Sequence, residues 1–257
     1  MGLFKKKKQI FSNAAEERTL HKNLDFTAAE QYKLLRANLE FTLPRDEQCP
    51  VIGVTSALRG ESKSTTSINL AYVLAEKGSR VLLIDGDLRL PSIAKKLDME
   101  NKTGFTEMLI DKGDPISKFK SDLLENLYII PSGRIPPNPS ELLGSQRMKA
   151  VLDELKKEFD YIVLDLPPVN LVSDAISVSS FISGMIVIVR EEYCEKKELA
   201  NCVRQLRLSN VNVLGFVMAC VNSGGGAYKY RYRKYGKYRK YKYYKYYHHE
   251  SSEKGEG

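Results

Sequence analysis

The chain has 257 residues, 42% of them hydrophobic, enough for one full α/β core with room for tails. It carries 40 Lys and Arg against 32 Asp and Glu, yet nine of the basic residues lie between Tyr228 and Tyr247, so 31 face 32 elsewhere and the body is about neutral. No apolar run approaches the ~18 residues that cross a bilayer, the start MGLFKKKKQIF has no signal-peptide apolar region, and Cys49, Cys194, Cys202 and Cys220 lack zinc or C-x-x-C spacing, as reduced thiols of a cytoplasmic protein would.

Residues 1–24 are polar and read as a flexible segment. Lys5, Lys6, Lys7 and Lys8 are a solvated charge run or a contact to anionic lipid. A helix is predicted from Thr27, opened by a Thr27/Glu30 capping box, with Leu34, Leu35, Ala37, Leu39 and Phe41 as apolar contacts up to Pro44. Glu30, Lys33 and Arg36 recur at helical spacing, either as an exposed ion-pair ladder or as a charged docking face.

Residues 51–69, VIGVTSALRGESKSTTSIN, read as a buried strand, a loop and a helix start. Amides at a helix N-terminus, a lysine and a hydroxyl one residue later suit a phosphate with its Mg²⁺. The match to G-x-x-x-x-G-K-[ST] is partial, because Ala57 and Ser62 stand at the glycine positions and Gly60 lies between them. The second strand, at 80–85, delivers Asp85, Gly86, Asp87 and Arg89 to its carboxyl end, where open α/β sheets bind ligands. Two carboxylates there call for a cation, unless they form a solvated acidic turn.

A short helix is predicted within 101–113 and a third strand at 126–130. An extended loop follows through Pro136, Pro137 and Pro139, with Asn138 or Ser140 available as a cap. An amphipathic helix at 145–158 and a fourth strand ending in Asp165 come next; an aspartate at that point is a usual second anchor for Mg²⁺. Strands at 184–189 and 211–217 flank a helix at 196–208, and Asn222 lies where nucleotide bases are commonly contacted. Strands alternating with helices predict a doubly wound, mostly parallel α/β sheet over 25–222.

Residues 223–226 form a glycine hinge into a basic tail, 223–257, with almost no aliphatic residues, for which disorder is predicted. Ten of the fifteen tyrosines sit in it: Tyr228, Tyr230, Tyr232, Tyr235, Tyr238, Tyr241, Tyr243, Tyr244, Tyr246 and Tyr247. Interleaved with Lys and Arg, they could stack on single-stranded nucleic acid or be phosphorylated.

Together these stretches resemble the bacterial P-loop tyrosine kinases, cytoplasmic partners in capsule and exopolysaccharide assembly of Gram-positive bacteria. The Walker A loop is here SALRGESKST, Walker A′ is VLLIDGDLRLP, and Walker B is YIVLDLPP. A PPNPSELL segment and the tyrosine cluster complete the likeness, which covers nearly the whole chain from Asp25.

The resemblance implies ATP and Mg²⁺ as cofactors. Ala57, Leu58, Arg59, Gly60, Glu61, Ser62, Lys63, Ser64, Thr65 and Asn222 would contact the nucleotide, with Lys63 on the β- and γ-phosphates. Ser64, Asp87 and Asp165 would hold Mg²⁺, and Asp85 would act as base or orienter for an incoming tyrosine hydroxyl. The tail tyrosines would be the phosphoacceptors. Glu30, Lys33 and Arg36 stand for an E-x-x-R-x-x-R motif that assembles a homo-oligomeric ring, with lysine in the middle place. A membrane-anchored activator would recruit the kinase to the inner face of the cell membrane. A cell-division or partitioning type of ATPase switch leaves ten clustered tyrosines unexplained, and a nucleic-acid binder leaves the three aspartates unexplained.

Overall fold

The computed structural model describes residues 23–220 apart from 45 and 112–113. Asn222, the lysine cluster and the tail tyrosines lie outside the described residues. Six strands, β1 (Val51–Ser56), β2 (Val81–Asp85), β3 (Leu127–Ile130), β4 (Tyr161–Asp165), β5 (Gly184–Arg190) and β6 (Val213–Ala219), form one sheet in the order β3-β2-β4-β1-β5-β6. Every pairing is parallel. Helices α1 (Phe26–Thr42), α2 (Lys63–Glu76), α3 (Ile93–Lys96), α4 (Phe105–Ile110), α5 (Pro139–Leu143), α6 (Gln146–Leu155), α7 (Asp174–Ser177) and α8 (Lys196–Leu208) connect and cover it.

The apolar strand runs make this arrangement necessary. β1 and β2 are buried along their whole length, so both faces of the sheet centre must be covered. One core cluster joins Leu82, Ile84, Ile162 and Leu164 to Phe105, Met148 and Leu152, and the other joins Ile52, Val54, Leu83 and Val163 to Ile68, Leu70 and Leu74. Register then sets the functional edge. Asp85 pairs with Asp165, and Asp165 with Val54, so β1, β2 and β4 end side by side.

Several local expectations are corrected. Asp25, in an extended conformation, caps α1 by accepting from the Ala28 amide at 2.8 Å, and Glu30 pairs with Lys33 instead of closing a box with Thr27. α1 packs inward through Tyr32, Leu35 and Leu39, which leaves Leu34 and Phe41 48% and 82% exposed. Their positions on the helix turn them away from that stripe. The short helix expected within 101–113 is present as α4, and Gly104, pressed against the Pro131 carbonyl, stands just before it. Asn138 stands at the N-cap of α5, as expected, but its side chain donates to Glu141 instead of accepting from the helix, and Ser140, inside the helix, donates to Asp174. β6 lies two residues later than expected, since its pairing with β5 begins at Met185 and Val213.

Candidate active site

The loop at 57–62 leaves β1 and enters α2. Gly60 and Ser62 both take left-handed backbone angles, with φ of 78° and 66°. Glycine adopts that region freely and serine does so at a cost, so Ser62 holds the conformation the missing glycine would hold. Alternating left-handed residues gather successive amides into a concavity suited to an anion. The first amides of α2, at Lys63, Ser64 and Thr65, add the unpaired donors and positive dipole end of a helix N-terminus.

The carboxylates lie beside this loop. Lys63 Nζ stands 3.0 Å from Asp87 Oδ2, 3.6 Å from Asp165 Oδ2 and 3.4 Å from Ser64 Oγ. Burial works against its charge, but Asp165 and then Asp87 outweigh burial and hold the lysine above its ordinary pKa. Asp165 is fully buried; Ser67 Oγ donates to its Oδ1 at 3.1 Å, while Oδ2 has no hydrogen-bond partner. Ser67 is one helical turn beyond Lys63, a spacing that could have marked it in the sequence.

Asp85 is also fully buried. Its Oδ2 accepts from the Ser92 and Ile93 amides, each at 3.0 Å, and its Oδ1 has no partner. Burial, then the neighbouring Asp165, pushes its pKa up to about 7. Burial likewise raises Asp165. Thus, on adjacent strand ends, Asp85 Oδ1 lacks a partner and Asp165 Oδ2 faces the Lys63 ammonium at 3.6 Å, an arrangement that favours a cation or a hydroxyl proton. Gly86 makes the approach possible: its amide donates to Asp165 O at 2.8 Å, and a Cβ there would sit 2.9 Å from that oxygen. Leu166 follows Asp165 and is wholly buried against the same glycine and Gly53.

Sequence reasoning missed the support of the second strand's turn. Arg89 Nε and Nη2 donate to the two oxygens of buried Asp174 at 2.8 and 3.0 Å, and Nη2 reaches Ser140 Oγ at 3.0 Å. The Walker A′ turn, the proline-rich segment and α7 therefore meet at one bidentate pair. Asp87 Oδ1 accepts from the Leu90 amide at 3.1 Å, which ties the magnesium candidate to that turn.

The three assembly candidates behave differently. Glu30 and Lys33 form an exposed pair at 3.0 Å, whereas Arg36 donates to the Val73 carbonyl of α2. Lys63, Ser64, Asp85, Asp87 and Asp165 are gathered at one edge. Arg59 is exposed at the loop tip, Ala57 and Glu61 are buried, and Leu58, Ser62 and Thr65 are half-buried.

A family described as an AAA domain matches residues 50–214. The chain is 36% identical over 190 residues to the tyrosine-protein kinase YwqD of Bacillus subtilis, covering 74% of this chain and 80% of the relative. It is 34% identical over 200 residues to the tyrosine-protein kinase CpsD of Streptococcus pneumoniae serotype 4, covering 77% and 87%. Among solved structures, the chimerical protein CapA2B2 aligns with a TM-score of 0.68 at 31% identity, over 74% of this chain and 83% of that one. The kinase domain of the Escherichia coli tyrosine kinase ETK aligns with a TM-score of 0.68 at 28% identity, over 77% and 79%. The ADP- and magnesium-bound cobyrinic acid a,c-diamide synthase of Mycobacterium smegmatis shares the fold, with a TM-score of 0.56 at 20% identity over 69% and 76%.

Proposed function

The chain belongs to the family of bacterial tyrosine-protein kinases of capsule and exopolysaccharide systems, and we propose that it transfers the γ-phosphoryl group of ATP to the tyrosines at 228–247 of a second copy. The observation that carries this reading is the convergence of Lys63, Asp85, Asp87 and Asp165 beside the 57–62 loop, with Lys63 paired to Asp87 and Asp165 and an unpartnered oxygen on Asp85. Residues 25–222 are the catalytic domain and 223–257 the acceptor tail.

The residues suit Mg²⁺. Among the described residues no cluster of three or more His, Cys, Asp or Glu forms an all-protein metal cage. Mg²⁺ is ordinarily held by one or two carboxylates together with substrate phosphates and water, and Ser64, Asp87 and Asp165 would hold it here. Bound there, it neutralises charge on the β- and γ-phosphates.

Lys63 occupies the carboxylate cluster as its counter-ion; with nucleotide bound it turns to the terminal phosphates. Asp85 is held by the Ser92 and Ile93 amides so that Oδ1 is left for the tyrosine hydroxyl. The phenol oxygen forms its bond to the γ-phosphorus as the bond to the ADP oxygen breaks, and Asp85 accepts the phenol proton. A carboxylate with a raised pKa is better matched to that proton than an ordinary one. Each phosphorylation adds about −1.5 to −2 charges to a cationic tail and weakens its electrostatic hold.

Assembly into a ring through Glu30, Lys33 and Arg36, and activation at the inner face of the membrane by a membrane-anchored partner of a polysaccharide export system, complete the proposal. No helix among the described residues is long and apolar enough to cross a membrane. The test is to incubate the full chain with Mg²⁺-ATP and an activator's cytoplasmic segment, then map phosphate by mass spectrometry. Phosphotyrosine between 228 and 247, lost in Lys63→Met, is expected. Release of free phosphate with an unlabelled tail would overturn the reading.

A further inference from the structure

We propose that Glu61 and Arg190 form a clamp that positions the phosphate loop, and that this clamp allows a serine to stand at position 62. The inference deepens the nucleotide reading of residues 57–65 and rests on it. Neither residue belongs to the lysine and aspartate cluster.

Glu61 is a carboxylate with no exposed surface, placed between two left-handed residues. One of its oxygens accepts from the Leu58 amide at 2.6 Å and the other from the Arg190 amide at 3.3 Å. The loop is thereby closed on itself and tied to the end of β5. The Arg190 guanidinium then donates to the Gly60 carbonyl at 2.9 Å and lies 5.1 Å from the Tyr193 ring centre. Tyr193 fills the other side of that turn, since a Cβ on Gly60 would sit 3.4 Å from its hydroxyl. Arg190 pairs in register with Ala219 of β6, so it is anchored in the sheet.

Positions 58, 60 and 61 are each held, while Ser62 leads directly into α2, where its carbonyl accepts from Thr66 at 2.9 Å. A left-handed residue bearing a Cβ persists when its surroundings over-determine it. The clamp supplies that over-determination before any anion arrives, so nucleotide binding need not order the loop. Without the clamp, Ser62 would relax toward right-handed angles and turn the amide concavity aside. A glycine at 62 would depend on the clamp far less.

The test uses the full chain with Glu61→Gln and Arg190→Met, each with and without Ser62→Gly. Affinity for a non-hydrolysable ATP analogue with Mg²⁺ is measured, with amide hydrogen exchange of residues 57–62 in nucleotide-free protein. Glu61→Gln is expected to weaken analogue binding about tenfold, as loss of a charge-assisted hydrogen bond at a buried carboxylate would, and Arg190→Met about threefold, because its bond to the Gly60 carbonyl is exposed; both should speed exchange of the loop. Turnover at saturating ATP should fall much less than affinity. Adding Ser62→Gly should recover a substantial part of the lost affinity in both backgrounds. Unchanged affinity and exchange in both variants, beside a parent that binds, would overturn the clamp alone. Loss without recovery by Ser62→Gly would do the same and leave Glu61 a general structural role. A parent that binds no analogue would overturn the nucleotide reading and the clamp with it.

Discussion

Asp85→Asn should make the nucleotide-free protein more stable while abolishing phosphotransfer. Asparagine has nearly the same shape, and its carbonyl oxygen can accept from the Ser92 and Ile93 amides in place of Asp85 Oδ2. What disappears is a buried negative charge beside Asp165. The rise of the Asp85 pKa from 3.8 to about 7 corresponds to about 4 kcal/mol at ~1.36 kcal/mol per tenfold change in proton affinity. Because the two carboxylates share Lys63, a gain on the order of 2–4 kcal/mol is expected at pH 8. The sign follows from proton uptake. Below pH 4 the carboxyl is neutral folded or unfolded, and between about 4 and 7 the folded chain alone keeps the proton, so the parent loses stability as pH rises. Urea unfolding of parent and variant at pH 5 and pH 8 measures this. The variant should be the more stable at pH 8, with the gap closing at pH 5. A variant no more stable than its parent at pH 8, or a gap that widens on acidification, would refute the reasoning. Adding Mg²⁺ and an ATP analogue should stabilise parent and variant alike, because Asp85 is placed as the base and not as a ligand of Mg²⁺ or phosphate.

Asp174→Asn should cost about 2–3 kcal/mol in urea unfolding, because Arg89 loses a bidentate partner yet, at 39% side-chain exposure, can recover water; it should also raise the Mg²⁺ concentration needed for half-maximal labelling, by loosening the turn that carries Asp87. Gly133→Ala places a Cβ 1.9 Å from Glu107 Oε2 at a φ of 75°, so calorimetry should show a Tm lower by roughly 5–10 °C, at ~2–4 °C per kcal/mol for a domain of this size. Leu34→Ser with Phe41→Ser should change monomer stability by less than ~0.5 kcal/mol per site, since both side chains face outward. Sedimentation of the same variant should show weaker self-association if the outer face of α1 carries the ring contact.

Short-range rules made much of this protein legible. Six apolar runs of strand length, separated by helical stretches, can bury themselves only in a covered parallel sheet, and that is the sheet observed. The Lys63-Ser64-Thr65 and Asp-Gly-Asp sequences mark their chemistry because each group of ligands sits within a few residues of one turn. Reading failed where two options were locally equal. α1 has apolar residues on more than one side, and only packing against α2 and the sheet selects Leu35 and Leu39 over Leu34 and Phe41. Asp25 and Thr27 are both good caps, and the backbone entering α1 decides between them.

Neighbouring residues and periodicity encode the strand and helix order, the 57–62 loop proposed for phosphate, the two aspartate-bearing strand ends and the tyrosine-rich stretch proposed as acceptor. Tertiary structure alone decided that Asp85 and Asp165 share a register, and that Arg89 is held by an aspartate 85 residues away. It also decided that a buried glutamate and an arginine 129 residues apart shape the loop around Ser62. Those pairings arise from strand order, which brings distant residues together only after the loops between them have closed. No local pattern encodes a contact whose partners meet for that reason.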